Sequence, residues 1–565
     1  RWCRWGKKDR LLCSIMFTTN KYKRRNDIGT KIEKYFPSTR LVAMDADGKN
    51  NKVLVERFSE GFEQFQDNII DWLPDDADNV LIQLFAVSGR AVYKLNIRSG
   101  KIDLYESSKQ HVGGFATDGQ GKVRLASGVE DTTLRVYARE KNANGWKEII
   151  KRQINLESEN HRLDPEAVIP DTNEAYATGD YKGYTALWLV SLMGFSEPQM
   201  LFAQPGADVY TLFGPDRQLL GVGYETDKYG VKYFNSFAQR LQEAANKLLP
   251  NNINQLVSFS RDLKVAVVRS QSDHEPAFFS VLDLSNQPAR FERIGSSNPA
   301  LKGFDLALVE PISFPASDGT MVPGYLTRPS DIASIASTPL VVLPHGGPYA
   351  RDQWGFDSWV QFLASRGYAV LQIEFRGSTG YGSDWFKEGF ADWSGKPYSD
   401  VVDGTKWALS KGYGNASRTC IVGASFGGYM ALLAATRNHE SKLFKCAVSI
   451  SGVSDLRELS KDRRWFGGWK IAQQSIGTDS DKLKADSPRT HASEINIPVM
   501  LIHGDQDYTV EVDESLLMDD ALTKFNKPHE LVIIKGADHY FRDDAYLRTL
   551  FTAMDGFLSK HLDTN

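Results

Sequence analysis

Over residues 1–305, apolar and polar positions alternate in short runs that close on Asp, Asn, Gly or Ser turns. Leu41 to Gly48 is one such run, and Ala91 to Gly100 leads directly into Lys101 to Tyr105. Similar runs stand at Leu134–Tyr137, Ala186–Val190 and Phe278–Leu284. Each reads as a strand, a turn and a partner strand. Their recurrence at roughly 40 to 50 residues predicts β-propeller blades, units too small to bury their own faces alone. A β-sandwich series is the alternative. The text at Arg1–Trp5 and Leu11–Ser14 is already strand-like, so the propeller is expected to begin within a blade, with an N-terminal piece missing. One segment breaks the pattern: Phe234, Phe237, Leu241, Ala245 and Leu248 recur at helical spacing and Pro250 stops the run, which predicts a helix packed on the blades.

After Phe304 the pattern changes. An antiparallel lead-in (Glu310–Phe314 and Gly324–Thr327, joined through Asp318 and Gly319) gives way to wholly apolar runs. These are Leu340–Leu343, Ala369–Ile373, Cys420–Val422, Ala447–Ile450, Val499–Ile502 and Leu531–Ile534, with helical text between them such as Gly427–Arg437 and Glu514–Phe525. Continuous apolar strands alternating with helices predict a parallel sheet covered on both faces. The expected division is a β-propeller over 1–305 and an α/β-hydrolase domain, doubly wound with a mostly parallel sheet, over 306–565.

Composition narrows the function. At 565 residues the chain exceeds what one core supports, and 41% apolar with 24% charged residues is ordinary for a globular protein. Lys plus Arg (67) against Asp plus Glu (71) leaves a net charge of −4, which offers no electrostatic reason for nucleic acid as a partner. The strongest basic run, Lys21, Lys23, Arg24 and Arg25, reads as a solvated loop. No run approaches the roughly 18 apolar residues of a membrane-spanning helix. The four cysteines are too few and scattered for a disulfide scaffold, and none has metal or redox spacing. Cys420 and Cys446 start neighbouring strands and read as buried free thiols. No metal or other cofactor is expected. A homo-oligomer is compatible with the sequence, and the compartment stays open: cytoplasmic by default, periplasmic if a signal peptide preceded residue 1.

The chemistry centres on Gly423-Ala-Ser425-Phe-Gly427, which follows a buried strand and opens a helix. That context is a nucleophile elbow, in which glycines permit a sharp turn that holds a serine hydroxyl above the carboxyl edge of a sheet. Serine needs a base, and the base needs an orienting acid; the order in this architecture is Ser, acid, His. Of the histidines well downstream, His529 precedes its strand and His561 lies near the tail of the final helix. His539 follows the strand Leu531–Ile534 at the correct edge. The acid should follow Val499–Ile502, where Asp505 and Asp507 both qualify and geometry alone does not separate them. Oxyanion donors are expected from the backbone N–H of Phe426 and of Gly347, in the loop Leu343–Pro348.

At this point the residues resemble the prolyl oligopeptidase family of serine peptidases, in its acylaminoacyl-peptidase and dipeptidyl-aminopeptidase-like branch. The matching text is His345-Gly-Gly-Pro348, Phe375-Arg-Gly-Ser-Thr-Gly-Tyr-Gly382, Gly423–Tyr429, His503-Gly-x-x-Asp507-x-x-Val510 and Asp538-His539. The resemblance implies a propeller lid over an α/β-hydrolase, limiting access to short peptides. It implies Ser425 as nucleophile, His539 as base and Asp507 as its orienter, with Phe426, Val453 and Val510 lining the pocket for the residue before the cleaved bond. Several relatives carry an oxyanion-hole tyrosine where this chain has His345, which leaves the Gly347 N–H as second donor. Strict dipeptidyl peptidases of the family hold the substrate amine with adjacent glutamates; no Glu-Glu pair occurs in the sequence, an argument against that strict activity. The apolar pocket residues imply hydrophobic or aromatic side chains before the cleaved bond. The expected function is a serine peptidase that hydrolyses short peptides through an acyl-enzyme. A carboxylesterase with the same triad and a silent propeller that only binds partners are the alternatives.

Overall fold

The computed structural model describes residues 2–7, 9–25, 31–55, 64–86, 89–155, 163–194, 196–286, 288–329, 337–462 and 469–562; the side chains of 19–25, 31–34, 86 and 462 lie outside that description. Six small antiparallel sheets occupy residues 2–53, 69–106, 114–153, 163–202, 209–233 and 253–296, here blades I to VI. Five have four strands and blade V has three among the described residues. The predicted propeller, not a sandwich series, is therefore the architecture. Alternation sets its packing: inward residues of adjacent blades form separate small clusters, such as Leu12, Leu41, Val80 and Ile82 between blades I and II.

Trp2–Lys7 is the edge strand of blade I. Two expectations need correction here. The basic run lies not in a loop but in strand Arg10–Arg25, whose backbone pairs with Lys31–Asp45; its side chains lie outside the described residues. The helix, α1 (Ser236–Leu248), starts after Phe234, because the Asn235 side chain accepts from the N–H groups of Phe237 and Ala238 and caps it. Its buried face is Ala238, Leu241, Gln242 and Ala245, while Phe237 and Leu248 stay exposed.

The second half forms an eight-stranded sheet of β1 (Val309–Pro315), β2 (Met321–Thr327), β3 (Leu340–Val342), β4 (Ala369–Ile373), β5 (Thr419–Ala424), β6 (Cys446–Ile450), β7 (Val499–Gly504) and β8 (His529–Ile534). The spatial order is β1-β2-β4-β3-β5-β6-β7-β8. β1, β2 and β4 pair antiparallel, and the run from β4 to β8 is parallel. Successive residues point to opposite faces: Leu340 and Val342 join one core, Val341 the other. Helices α2 (Ser358–Ser365) and α6 (Asp544–Leu562) cover one face; α3 (Lys396–Ser410), α4 (Phe426–Thr436) and α5 (Asp513–Lys524) cover the other. Every residue of α4 is buried, as a helix wedged between a sheet and its own covering layer must be.

The cysteines also differ from expectation. Cys420 and Cys446 are not free thiols; they stand opposite each other in the β5–β6 register, with Cα atoms 4.8 Å apart, and form a disulfide. Cys3 and Cys13 pair in the same way across the first hairpin. Registered neighbours on paired strands bring Cβ atoms within bridging distance, a relation that sequence separation does not reveal.

Candidate active site

The elbow is set by backbone geometry. Ser425 takes φ 57° and ψ −118° between β5 and α4, a conformation that costs a non-glycine residue about 1–3 kcal/mol and is held by its surroundings. Its N–H donates to Ile450 O (2.8 Å), and its carbonyl accepts from the Tyr429 N–H (3.0 Å), so β6 and the first turn of α4 fix it from both sides. Gly427 must lack a side chain: a Cβ there would lie 2.1 Å from Pro344 O. That close approach brings the loop after β3 against the elbow, and a Cβ on Gly346 would stand 3.5 Å from Ser425 Cβ. The helix-start N–H of Phe426 and the Gly346 backbone thus border the same serine.

His345 does not reach that space. Its ring stacks on Phe375 at 4.2 Å between centroids, with Nδ1 2.7 Å from Gly346 O and Nε2 2.9 Å from Ser378 Oγ. Burial pushes its pKa down to about 4, so it stays neutral at physiological pH. It supports the loop from behind.

Strands β5, β7 and β8 run parallel, so the loops after them share the carboxyl edge. The structure separates the two aspartates. Asp507 Oδ2 accepts from His539 Nδ1 at 2.6 Å, while its Oδ1 accepts from the N–H groups of Thr509 (2.8 Å) and Val510 (2.9 Å). Asp505 instead accepts from the Gly536 N–H at 2.6 Å, and the Gln506 N–H donates to Ala537 O at 3.0 Å. Asp505 clasps the two loops together; Asp507 holds the imidazole. Among the described residues, neither Ser425 Oγ nor His539 Nε2 has a hydrogen-bond partner.

One residue of this site carried no role in the sequence reading. His503, at the end of β7, is fully buried; Nδ1 lies 2.7 Å from Ser515 Oγ, and Nε2 lies 3.0 Å from Val510 O and 3.4 Å from Asp507 Oδ2. One tautomer satisfies all three contacts: Ser515 donates to Nδ1, and Nε2–H points at Val510 O and the carboxylate. Burial alone would raise the Asp507 carboxyl, but hydrogen bonds from His503 and His539 outweigh it and hold the group well below the usual carboxylate range. The spacing of four residues before Asp507, in a motif already quoted, was the available signal. Phe426, Val453 and Val510 are all buried and join one cluster with Phe375 and Trp393. Val453 is followed by Ser454 and Asp455, whose N–H groups donate to Glu514 at 2.8 Å each; burial pushes that carboxyl up to about 8.

Residues 354–565 match the sequence profile of the prolyl oligopeptidase family. The C-terminal domain belongs to that family of serine peptidases. Among curated relatives of the chain is the dipeptidyl aminopeptidase BIII of Pseudoxanthomonas mexicana, 27% identical over 83% of this chain and 69% of that protein. Another is the dipeptidyl peptidase family member 6 of Caenorhabditis elegans, 32% identical over 54% of this chain and 45% of that one. The chain thus aligns with only part of each relative's length. Among solved structures, a puromycin-hydrolyzing peptidase of Mycobacterium tuberculosis superposes with TM-score 0.73 at 18% identity, over 99% of this chain and 94% of that one. An acylaminoacyl peptidase of Pyrococcus horikoshii gives 0.66 at 15% identity, over 98% and 95%. At such identities these structures speak for the shared fold of propeller and hydrolase. No helix among the described residues is long and apolar enough to cross a membrane.

Proposed function

We propose that the chain hydrolyses short peptides through an acyl-enzyme, with Ser425 as nucleophile, His539 as general base and Asp507 as its orienter. The observation that carries this reading is the 2.6 Å Asp507–His539 contact on the sheet edge that also presents Ser425. His539 Nε2 takes the Ser425 proton as Oγ attacks the carbonyl, while Asp507 keeps the other proton on Nδ1 and stabilises the imidazolium. The N–H groups of Phe426 and Gly347 receive the oxyanion. The imidazolium then protonates the departing amine, and water repeats the sequence on the ester. Phe426, Val453 and Val510 form the apolar wall for the residue before the cleaved bond, the propeller restricts access, and the two domains divide near residue 305.

Whether cleavage releases dipeptides is a second reading, favoured by the relative named dipeptidyl aminopeptidase that matches 83% of this chain. The test is a peptide-library digest read by mass spectrometry, with free and acetylated N-termini, beside matched aminoacyl amides and esters. Amide cleavage lost in Ser425→Ala supports the reading. Ester turnover without amide turnover would replace it with a carboxylesterase, and dipeptides released only from free N-termini would establish the dipeptidyl mode.

A further inference from the structure

Beyond packing on His345 through Phe375 and Ser378, the segment Phe375–Gly382 has no part in the chemistry above, yet it contains three glycines and lies where the hydrolase meets the propeller. A Cβ on Gly382 (φ 89°) would stand 2.6 Å from Gly183 O of blade IV, and the next N–H, of Ser383, donates to that same carbonyl at 2.7 Å. Asp208, at the entry to blade V, reaches back twice. Its N–H donates to Gly380 O (3.1 Å), and its Oδ2 accepts from the Gly382 N–H (3.2 Å), while Oδ1 accepts from the Thr185 N–H (2.7 Å). The segment is a backbone-to-backbone joint between the domains.

Arg351 passes through this joint. A Cβ on Gly380 (φ 89°) would lie 2.7 Å from Arg351 Nη1, so the glycine leaves the channel that the guanidinium occupies. Nη1 donates to Glu225 O (3.2 Å) and Nη2 to Thr226 O (3.0 Å), both on blade V; Nη2 also donates to Tyr381 OH (2.8 Å), and Nε to Asp352 O (3.2 Å). The guanidinium carbon sits 4.4 Å from the Tyr381 ring centre. Four residues upstream is Gly347. The intervening turn is short and internally bonded: the Ala350 N–H donates to Pro348 O (2.8 Å), and Ala350 O accepts from the Thr379 N–H (2.9 Å). A shift of the arginine therefore has little slack to absorb it before the glycine.

We infer that Arg351 is a positioning residue that registers the oxyanion loop against propeller blade V, so that the Gly347 donor is placed for catalysis only while the propeller is docked. Substrate access and transition-state stabilisation are thereby coupled through one side chain. A plain tether between domains would act differently. It would alter which peptides enter and how tightly, and leave the oxyanion site of bound substrate untouched. The inference rests on the reading of Ser425 and Gly347 given above.

The test is steady-state kinetics of Arg351→Ala on an aminoacyl amide, with inhibition by a peptide aldehyde, whose adduct places an oxyanion, and by the matching uncleaved peptide product. Misplacing a donor by about 1 Å is expected to lower kcat about 100-fold and to weaken the aldehyde by a similar factor. KM and product inhibition should stay near wild type, and added guanidinium should restore part of kcat. A rise in KM with kcat preserved, or a fall in kcat with aldehyde affinity kept, would overturn the inference. Should Arg351→Ala fail to fold, Arg351→Lys and Tyr381→Phe are read by the same kcat and aldehyde criteria. Wild-type enzyme that neither binds the aldehyde nor takes a fluorophosphonate on Ser425 would defeat the underlying reading instead; wild type that does both, beside an unaffected variant, defeats only this one.

Discussion

Replacing Asp507 by Asn, beside the same change at Asp505, separates an orienting acid from a structural one with almost no change in volume. The Oδ1 of an asparagine at 507 can go on accepting from the Thr509 and Val510 N–H groups, which turns its NH2 toward His539 Nδ1. Two donors cannot face each other, so the imidazole must accept at Nδ1 and carry its proton on Nε2. In that tautomer it cannot take the Ser425 proton. The same exchange in a serine triad lowers kcat by about 10⁴ with geometry otherwise kept, and that is the loss expected here. Among the described residues the Asp505 carboxylate accepts only from the backbone N–H of Gly536, and an amide oxygen can still accept there at the expense of charge assistance, worth about 1–2 kcal/mol of stability and little catalysis. The assay is kcat on a chromogenic aminoacyl amide with active-site titration, alongside thermal unfolding of both variants. Equal losses at both positions, or a larger loss at Asp505 than at Asp507, would refute the assignment.

Removing His503 as His503→Ala leaves the buried Ser515 hydroxyl and Val510 carbonyl without their partner, at about 1–3 kcal/mol each, and frees the Asp507 carboxylate to tilt. A lower melting temperature with reduced kcat is expected, and full kcat below the melting temperature would make the residue purely structural. Gly427→Ala drives a methyl group to 2.1 Å from Pro344 O, so the elbow and oxyanion loop must separate; kcat should fall about 100-fold, and wild-type turnover would contradict the close approach. Burial pushes Glu225 and Asp352 up to about 7 and Glu514 up to about 8, against Coulombic lowering of the first two by Arg351 and further raising by Asp357 beside Asp352 and Asp455 beside Glu514. The folded chain then keeps protons that the unfolded chain has already released, so stability present in more acidic solution is lost as pH rises through that range. Calorimetry from about pH 6.5 to 8.5, above the ordinary histidine range, should show a falling melting temperature. A flat or rising one would contradict it.

Much of this fold is legible in one dimension because burial leaves a plain mark. Leu340–Val342 and Val499–Ile502 are apolar on every position since both sheet faces are covered, and the blades show as short runs that close on turn residues. Ser425 is visible because a strained turn demands glycines around it. Relations across space were not legible. Asp505 and Asp507 have the same chemistry two residues apart, and only the fold of the loop decides which meets His539. Cys420 and Cys446 could be seen to open neighbouring strands, yet their pairing depends on register. Helical spacing placed Phe237 and Leu248 on the buried face of α1, whereas the Asn235 cap and the Gln242–Asn254 bond turn that face toward Ala238 and Leu241. His503 and Arg351 sat inside or beside quoted motifs, but their roles lie in what they touch.

The account rests on a hydroxyl made nucleophilic by the His539–Asp507 pair. The most direct measurement treats the wild-type enzyme and His539→Ala with a fluorophosphonate and maps the adduct by peptide mass spectrometry. The account predicts a single adduct on Ser425 in the wild type, formed orders of magnitude more slowly in the variant, with peptide hydrolysis lost as labelling proceeds. An adduct on another residue, or undiminished hydrolysis by fully labelled enzyme, would contradict it.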